Sequence, residues 1–192
     1  MRTRIKYSQN FLKSTDLVRS LLEKSSISDG DVVLEIGAGQ GIITKQLANK
    51  ARKVIAFEID RNLSHKLTET FTNKDLVEVV NQDFLQYELP KYDYKVFSNI
   101  PFNLTANIIK KLTFSNNPSK DSYLIVQKEA AQKFIGKPIA TTNSLVSVLI
   151  QSRFETSVFH EFRKDDFFPR PMVDTVMIRF QKLETPKVLT QD

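Results

Sequence analysis

Short apolar runs of strand length alternate along this chain with segments whose apolar residues recur at helical period, and that alternation leaves few folds open. It is the pattern of βαβ units, in which a mostly parallel sheet is covered by helices on both faces. Residues 32–36 read as the first strand, preceded by a helix over 16–24 and followed by one over 42–49. Residues 54–58 and 76–80 read as the next two strands, with a helix over 62–71 between them. A fourth strand over 94–98 leads to a helix over 105–113, a strand over 123–126 and a helix beginning near Lys128. Residues 144–152 fit helix or strand, because a short apolar run does not separate the two by period, and a helix is expected. Residues 154–162 and 173–180 read as a closing pair of strands around Phe167-Phe168-Pro169-Arg170-Pro171, a segment too rich in proline to be regular.

With 192 residues and 41% hydrophobic content the chain can bury one sizeable core, so a single catalytic or binding domain over 1–182 is expected, with 1–14 as an amino-terminal arm and 183–192 as a tail. The absence of cysteine excludes disulfides and thiolate sites, and two histidines cannot build a histidine-rich metal centre, so no metal is expected. The charged start Met1-Arg2-Thr3-Arg4-Ile5-Lys6 precedes no apolar segment, and no run reaches membrane-spanning length. A cytoplasmic monomer without membrane contact is the expectation. Twenty-eight Lys and Arg against 22 Asp and Glu give a net charge of +6, which suits a polyanionic partner without requiring one.

Three of the five glycines crowd into Glu35-Ile36-Gly37-Ala38-Gly39-Gln40-Gly41, at the turn from the first strand to its helix. Glycine lets the backbone turn tightly there and approach a ligand at the carboxyl edge of the sheet. An acidic residue at the end of the second strand, Glu58, can accept hydrogen bonds from both hydroxyls of a ribose. A dinucleotide loop shares both features but wants its third glycine where Ile42 stands, so the glycine at 41 disfavours a nicotinamide cofactor. Asp83, after the third strand, is placed to meet an adenine amine in the same crevice, and Phe84 to pack on that ring or in the core.

Ser98-Asn99-Ile100-Pro101-Phe102-Asn103 follows the fourth strand and opens onto that crevice. The amine of an adenine is a poor nucleophile because its lone pair is delocalised into the ring. Acceptors that draw its protons out of plane concentrate density on nitrogen, and the Asn99 side-chain oxygen and the Ile100 carbonyl can supply two. Pro101 fixes the chain direction and restricts Ile100 to extended geometry. Phe102 can stack on the base, a contact worth roughly 1–3 kcal/mol in single-strand recognition.

With these residues in place, the chain from about Tyr7 to Phe180 resembles the rRNA adenine dimethylase family, which contains the erythromycin-resistance (Erm) methyltransferases and the small-subunit dimethylases. The resemblance implies a Rossmann-like class I S-adenosylmethionine-dependent methyltransferase fold, with a mostly parallel seven-stranded α/β sheet. Ser8-Gln9-Asn10-Phe11-Leu12 is similar to the family's amino-terminal cofactor motif, which implies that Gln9, Asn10 or Leu12 touches the cofactor. By the same likeness Gly37, Gly39, Glu58, Ile59, Asp83, Phe84 and Asn99 hold S-adenosylmethionine, and Asn99, Ile100, Pro101 and Phe102 receive the target amine. The segment from Phe167 to Asp174 is similar to the family's late aromatic-proline motif, and Phe167 is expected near the target base, with Phe168 in the core.

Residues 123–126 and the wording around Asn99 look nearer to the Erm branch, which methylates 23S rRNA and so confers macrolide, lincosamide and streptogramin B resistance. Family members carry a small carboxy-terminal helical domain, whereas this chain stops about a dozen residues past its last expected strand, so that domain is expected to be absent or truncated. Arg2, Arg4, Lys6, Lys110, Lys111, Lys133, Lys137, Arg163, Lys164 and Arg170 are candidate phosphate contacts. The competing readings are a small-subunit (16S) rRNA dimethylase, a non-catalytic RNA-binding or ribosome assembly factor, and a nicotinamide-dependent oxidoreductase.

Overall fold

In the computed structural model, which describes residues 10–135 and 144–187, nine strands and six α-helices follow one another nearly as the alternation dictates. They are β1 (Phe11–Leu12), α1 (Thr15–Lys24), β2 (Val32–Ile36), α2 (Ile42–Ala48), β3 (Lys53–Phe57), α3 (Arg61–Thr70), β4 (Val77–Val80) and β5 (Lys95–Asn99). The second half holds α4 (Thr105–Phe114), β6 (Asp121–Gln127), α5 (Lys128–Ile135), α6 (Leu145–Gln151), β7 (Phe154–Glu161), β8 (Phe167–Phe168) and β9 (Thr175–Lys182). Seven of the strands form one sheet in the order β4-β3-β2-β5-β6-β9-β7. The first five in that order are parallel, and β9 runs antiparallel between β6 and β7.

Every residue of β2 is buried, as a strand covered on both faces requires, and the side-chain alternation of the strands divides the apolar residues between two cores. Val33, Val54, Phe97 and Tyr123 pack under α1, α2 and α3 with Val18, Leu21, Leu47 and Leu67. Leu34, Ile55, Val96 and Leu124 pack on the opposite face under α4, α5 and α6 with Ile108, Leu112, Phe134 and Ile150. The ambiguous segment over 144–152 is helical: α6 is capped by Ser144, whose hydroxyl accepts a hydrogen bond from the Ser147 N–H at 3.1 Å. The strand order reverses between β2 and β5, which opens a crevice at their carboxyl ends, the usual ligand position in such sheets.

Phe167 and Phe168 depart from expectation. They form β8, an antiparallel ladder with β1 in which Phe11 faces Phe168 and Leu12 faces Phe167. Both prolines lie after the pair, so neither removes a donor from it, and the Lys13 N–H extends the pairing to the Asp166 carbonyl at 2.9 Å. Among the described residues, no helix is long and apolar enough to cross a membrane.

At the opposite edge of the sheet the start of β6 is tied to β9 and to the loop after α1. Asp121 is buried and accepts from Arg179 Nε at 3.0 Å and Nη2 at 2.6 Å, while Ser26 Oγ donates to it at 2.7 Å. The Asp121 carboxylate beside it holds the Arg179 guanidinium above its usual range, against the opposing pull of burial. Removing Arg179 leaves the buried Asp121 carboxylate without its counter-charge, whereas removing Asp121 leaves a half-buried guanidinium that water still reaches. Arg179→Ala is therefore expected to lower stability by about 3–5 kcal/mol and Asp121→Ala by less, each read as a shift of the urea midpoint.

Candidate active site

A cavity of about 330 Å3 lies at the reversal of strand order, within the size range of small-molecule sites. Its walls come from the glycine loop after β2, the ends of β3 and β4, the segment after β5, and β1. The Gly37 and Ala38 N–H groups both donate to the Phe57 carbonyl, at 2.8 and 3.0 Å, so the loop is stitched to the end of β3. Gly39 has φ +57°, and a Cβ there would lie 2.7 Å from the Phe11 ring, which must reach across the loop to line the cavity. Gly41 caps α2 with φ +82°, and a Cβ there would sit 2.7 Å from Leu67. Only glycine meets both demands.

Glu58 is 2% exposed, and its two oxygens are shared between two walls. Oε2 accepts the Gly39 N–H at 2.8 Å and Oε1 the Asp60 N–H at 2.9 Å. A carboxylate offers about four lone-pair sites, so each oxygen keeps capacity for one further donor, a geometry suited to a vicinal diol. Ile59, half exposed, adds an apolar wall beside it. Asp83 spends one oxygen capping the short turn Phe84–Gln86, accepting the Leu85 N–H at 2.9 Å, and also lines the cavity. Phe84 has both anticipated roles: it lines the cavity and packs edge-on to Phe57 at 5.2 Å in the core. Together these groups could hold an adenosine, its ribose at Glu58 and its ring between Ile59 and Phe84 with the amine toward Asp83.

On the other side of the crevice Ser98 Oγ accepts the Ile36 N–H at 2.7 Å, a bond between β5 and β2 that fixes where Asn99 emerges. Asn99 Nδ2 donates to the Asn10 carbonyl at 2.7 Å, which leaves Oδ1 as the acceptor of the carboxamide. Asn99, Ile100, Pro101 and Phe102 all line the cavity. The Leu104 N–H to Pro101 carbonyl bond and the Thr105 hydroxyl to Phe102 carbonyl bond, at 3.0 and 2.9 Å, wind this segment into α4. The arrangement presents one fixed amide acceptor, Asn99, and one ring, Phe102, in the cavity that Glu58 and Asp83 also line.

The structure brings Asn10, Gly37, Gly39, Glu58, Ile59, Asp83, Phe84 and 99–102 to one cavity, and it corrects two expectations. Leu12 is 4% exposed in the core rather than at the cavity. Phe167, expected near a target base, is 2% exposed and packs edge-on to Phe162 at 5.3 Å, whereas Phe168, expected in the core, is 70% exposed. Strand alternation is the cause: in the β1–β8 ladder Leu12 and Phe167 share the buried face, and Phe11 and Phe168 the other. Phe11 is among the cavity residues that sequence reasoning missed, with Phe57, Gln82, Asn103 and Leu104, although it sits beside Asn10 in the amino-terminal motif. Gln9 lies outside the described residues.

Several candidate phosphate contacts are already engaged. Lys111 donates to the Leu85 carbonyl at 2.9 Å and to that of Tyr87, with its ammonium 5.2 Å from the Phe84 ring, and burial draws it below the usual lysine range against the pull of Asp83. Lys164 is held by the Met172 carbonyl and Arg170 by Asp165, at 2.9 and 3.4 Å. Lys110, Lys133 and Arg163 are exposed, while Arg2, Arg4, Lys6 and Lys137 lie outside the described residues. Among the described residues no cluster of three or more His, Asp or Glu could hold a metal ion.

The sheet order, the glycine loop and the crevice beside it define the class I S-adenosylmethionine-dependent methyltransferase fold. The chain belongs to the ribosomal RNA adenine dimethylase family, whose profile matches residues 1–191. The ribosomal RNA small subunit methyltransferase A of Geobacillus thermodenitrificans is 33% identical over 96% of this chain and 66% of its own length. That of Mycoplasmopsis pulmonis is 32% identical over 95% of this chain and 72% of its own. The chain thus spans about two thirds of the length of such relatives. The crystal structure of the 23S rRNA methyltransferase ErmE superposes with a TM-score of 0.85 at 28% identity, covering 94% of this chain and 73% of that one. A dimethyladenosine transferase from Plasmodium falciparum gives a TM-score of 0.80 at 26% identity, covering 91% and 64%.

Beneath the glycine loop, Glu35 is fully buried, with Oε2 accepting from Thr44 Oγ1 at 2.6 Å. Burial pushes its carboxyl up to about 8; the Thr44 bond opposes this, and the charge of Glu58 adds to it. The folded protein therefore keeps a proton that the unfolded chain loses near pH 4.5. Stability is expected to fall as pH rises from about 4.5 to about 8, by at most about 1.4 kcal/mol per unit, and to level off above. Glu35→Gln should flatten that slope in denaturant titrations run across the same pH range.

Proposed function

We propose that this protein transfers methyl groups to the exocyclic amine of an adenine in ribosomal RNA, with 1–182 as the catalytic unit and 1–14 as an amino-terminal arm. The observation that carries it is the Asn99 carboxamide, pinned by the Asn10 carbonyl so that its oxygen is left for a substrate amine at a cavity also lined by Glu58 and Asp83. S-adenosylmethionine supplies an activated methyl group when bound. Glu58 accepts its ribose hydroxyls, Asp83 its adenine amine, and Ile59 and Phe84 flank the ring, with Gly37 and Gly39 letting the backbone come close.

Asn99 Oδ1 and the Ile100 carbonyl accept the two protons of the target amine and turn its lone pair toward the methyl group. The nitrogen grows more acidic as the new bond forms, so solvent can take the proton and positioning carries the rate. Phe102 stacks on the target base. Phe168, on the cavity side of the β1–β8 ladder and exposed, replaces Phe167 as the aromatic of the late motif that meets it. Lys110, Lys133 and Arg163 are left to meet phosphates.

Two substrates have support. Curated relatives at 32–34% identity carry small-subunit names, which favours an adenine of 16S rRNA. The likeness to ErmE favours 23S rRNA and, with it, macrolide-lincosamide-streptogramin B resistance. Incubation with labelled S-adenosylmethionine and each ribosomal RNA, followed by mapping of the modified base and a count of its methyls, decides between them. Incorporation into neither RNA, with the cofactor bound, would leave the assembly-factor reading.

Asn99→Ala is expected to lower kcat by about 100-fold to 1,000-fold, the usual loss on removing one positioned polar group, measured in single-turnover methylation. Phe168→Ala should weaken RNA use about tenfold, a loss within the range of one lost stacking contact, and leave stability unchanged. Phe167→Ala should instead cost about 3–5 kcal/mol of stability. The pair of variants, read by methylation kinetics and by thermal melting, assigns the two rings.

A further inference from the structure

A second groove, of about 370 Å3, opens on the same edge of the sheet. One wall is the end of β6 and the first turns of α5, with Gln127 and Gln132; the other is the loop from Met172 to Asp174. The Lys128 N–H to Asp174 carbonyl bond, 2.8 Å, holds the walls together. Gln127 stands two residues past Ile125, the strand partner of Asn99, so the groove is the neighbour of the reacting segment. The loop that forms its outer wall begins at Phe168, opposite the cavity residue Phe11, and reaches Met172 four residues on, at most about 14 Å away.

The chemistry of the groove is unlike that of a phosphate cradle. Lys128 is paired with both oxygens of Glu161 at 3.2 Å, Lys164 lies 3.6 Å from Asp174 and donates to the Met172 carbonyl, and Glu129 adds a negative charge. What remains is apolar surface and amides. Met172 is 94% exposed and Val173 40%, a flexible thioether beside a branched side chain, and Gln127 and Gln132 carry groups that both donate and accept. An apolar face with amide edges fits a planar, uncharged, hydrogen-bonding ligand. RNA read in sequence presents that ligand as an unstacked base, recognised by contact on its face and hydrogen bonds on its edges.

Resting on the function proposed above, we infer that this groove receives the unstacked base of the nucleotide adjacent to the target adenine. Met172 and Val173 cover the face of that base and Gln127 and Gln132 read its edge. The groove is then a specificity subsite, selecting the sequence around the adenine while the cavity performs the transfer. The strand path runs from the cavity rim at Phe168 along the loop to Met172.

The test uses RNA fragments that carry the target adenine unmethylated, with an abasic residue in place of the base on either side. For the wild-type protein, an abasic residue at one of the two positions should lower kcat/KM about tenfold, within the range of one lost base contact. The Met172→Ala/Gln132→Ala double variant should be about tenfold slower on the intact fragment and indifferent to the abasic residue. Both side chains are exposed, so the fold is not at stake, and the dissociation constant for S-adenosylmethionine should be unchanged. Wild-type indifference to abasic residues at both positions overturns the inference, and is the result expected if the groove serves a protein partner. Equal sensitivity in the double variant overturns it too. Absence of methylation on any RNA, with the cofactor bound, is the distinct failure of the proposed function itself.

Discussion

The contact between the Gly39 N–H and the Glu58 carboxylate organises the site. It joins the loop after β2 to the end of β3, and with the Gly37 and Ala38 bonds to Phe57 it makes two strand ends into one wall. Because the carboxylate spends only one lone pair per oxygen on the backbone, the group that shapes the wall is also the group best able to take a ligand's hydroxyls. Phe11 depends on the same loop, since it can cross it only where residue 39 lacks a Cβ. Structure and binding are here carried by one side chain.

The two halves of the crevice are held by different means. One side is fixed by backbone donors on the buried Glu58 and the half-buried Asp83. The other rests on the Asn99 carboxamide, whose orientation is set by the carbonyl of Asn10, a residue remote in sequence. Beneath both, the Glu35 to Thr44 bond anchors the loop with a carboxyl that burial keeps protonated. Burial and the charge of Glu58 both favour the neutral form of Glu35, so no second buried charge is set beneath the loop.

Much of this was legible in the sequence. The sheet, the helices on both faces and the glycine loop follow from period and punctuation, and strand bounds moved by only a residue or two. Glu58, Asp83 and Asn99 were legible because each stands at the end of a strand, and the crevice lies where the parallel strands end. Leu12 and the Phe167–Phe168 pair were not. Their orientation depends on which residues pair across a two-residue ladder between distant parts of the chain, and a shift of one residue exchanges inside for outside. The engagement of Lys111 with the carbonyls after β4 was equally hidden, since charge alone does not show what a lysine touches.

That short ladder also sets a timetable. Its first strand precedes the sheet in the chain, but its partner is made only after the sheet's central strands have been synthesised. Until then Phe11 has no edge to pair with, and the Asn10 carbonyl has no neighbouring rung to steady it against Asn99. A nascent chain can therefore fold the wall built by the glycine loop and Glu58 while the Asn99 carboxamide is still unset, and the proposed transfer has to wait until β8 has been made.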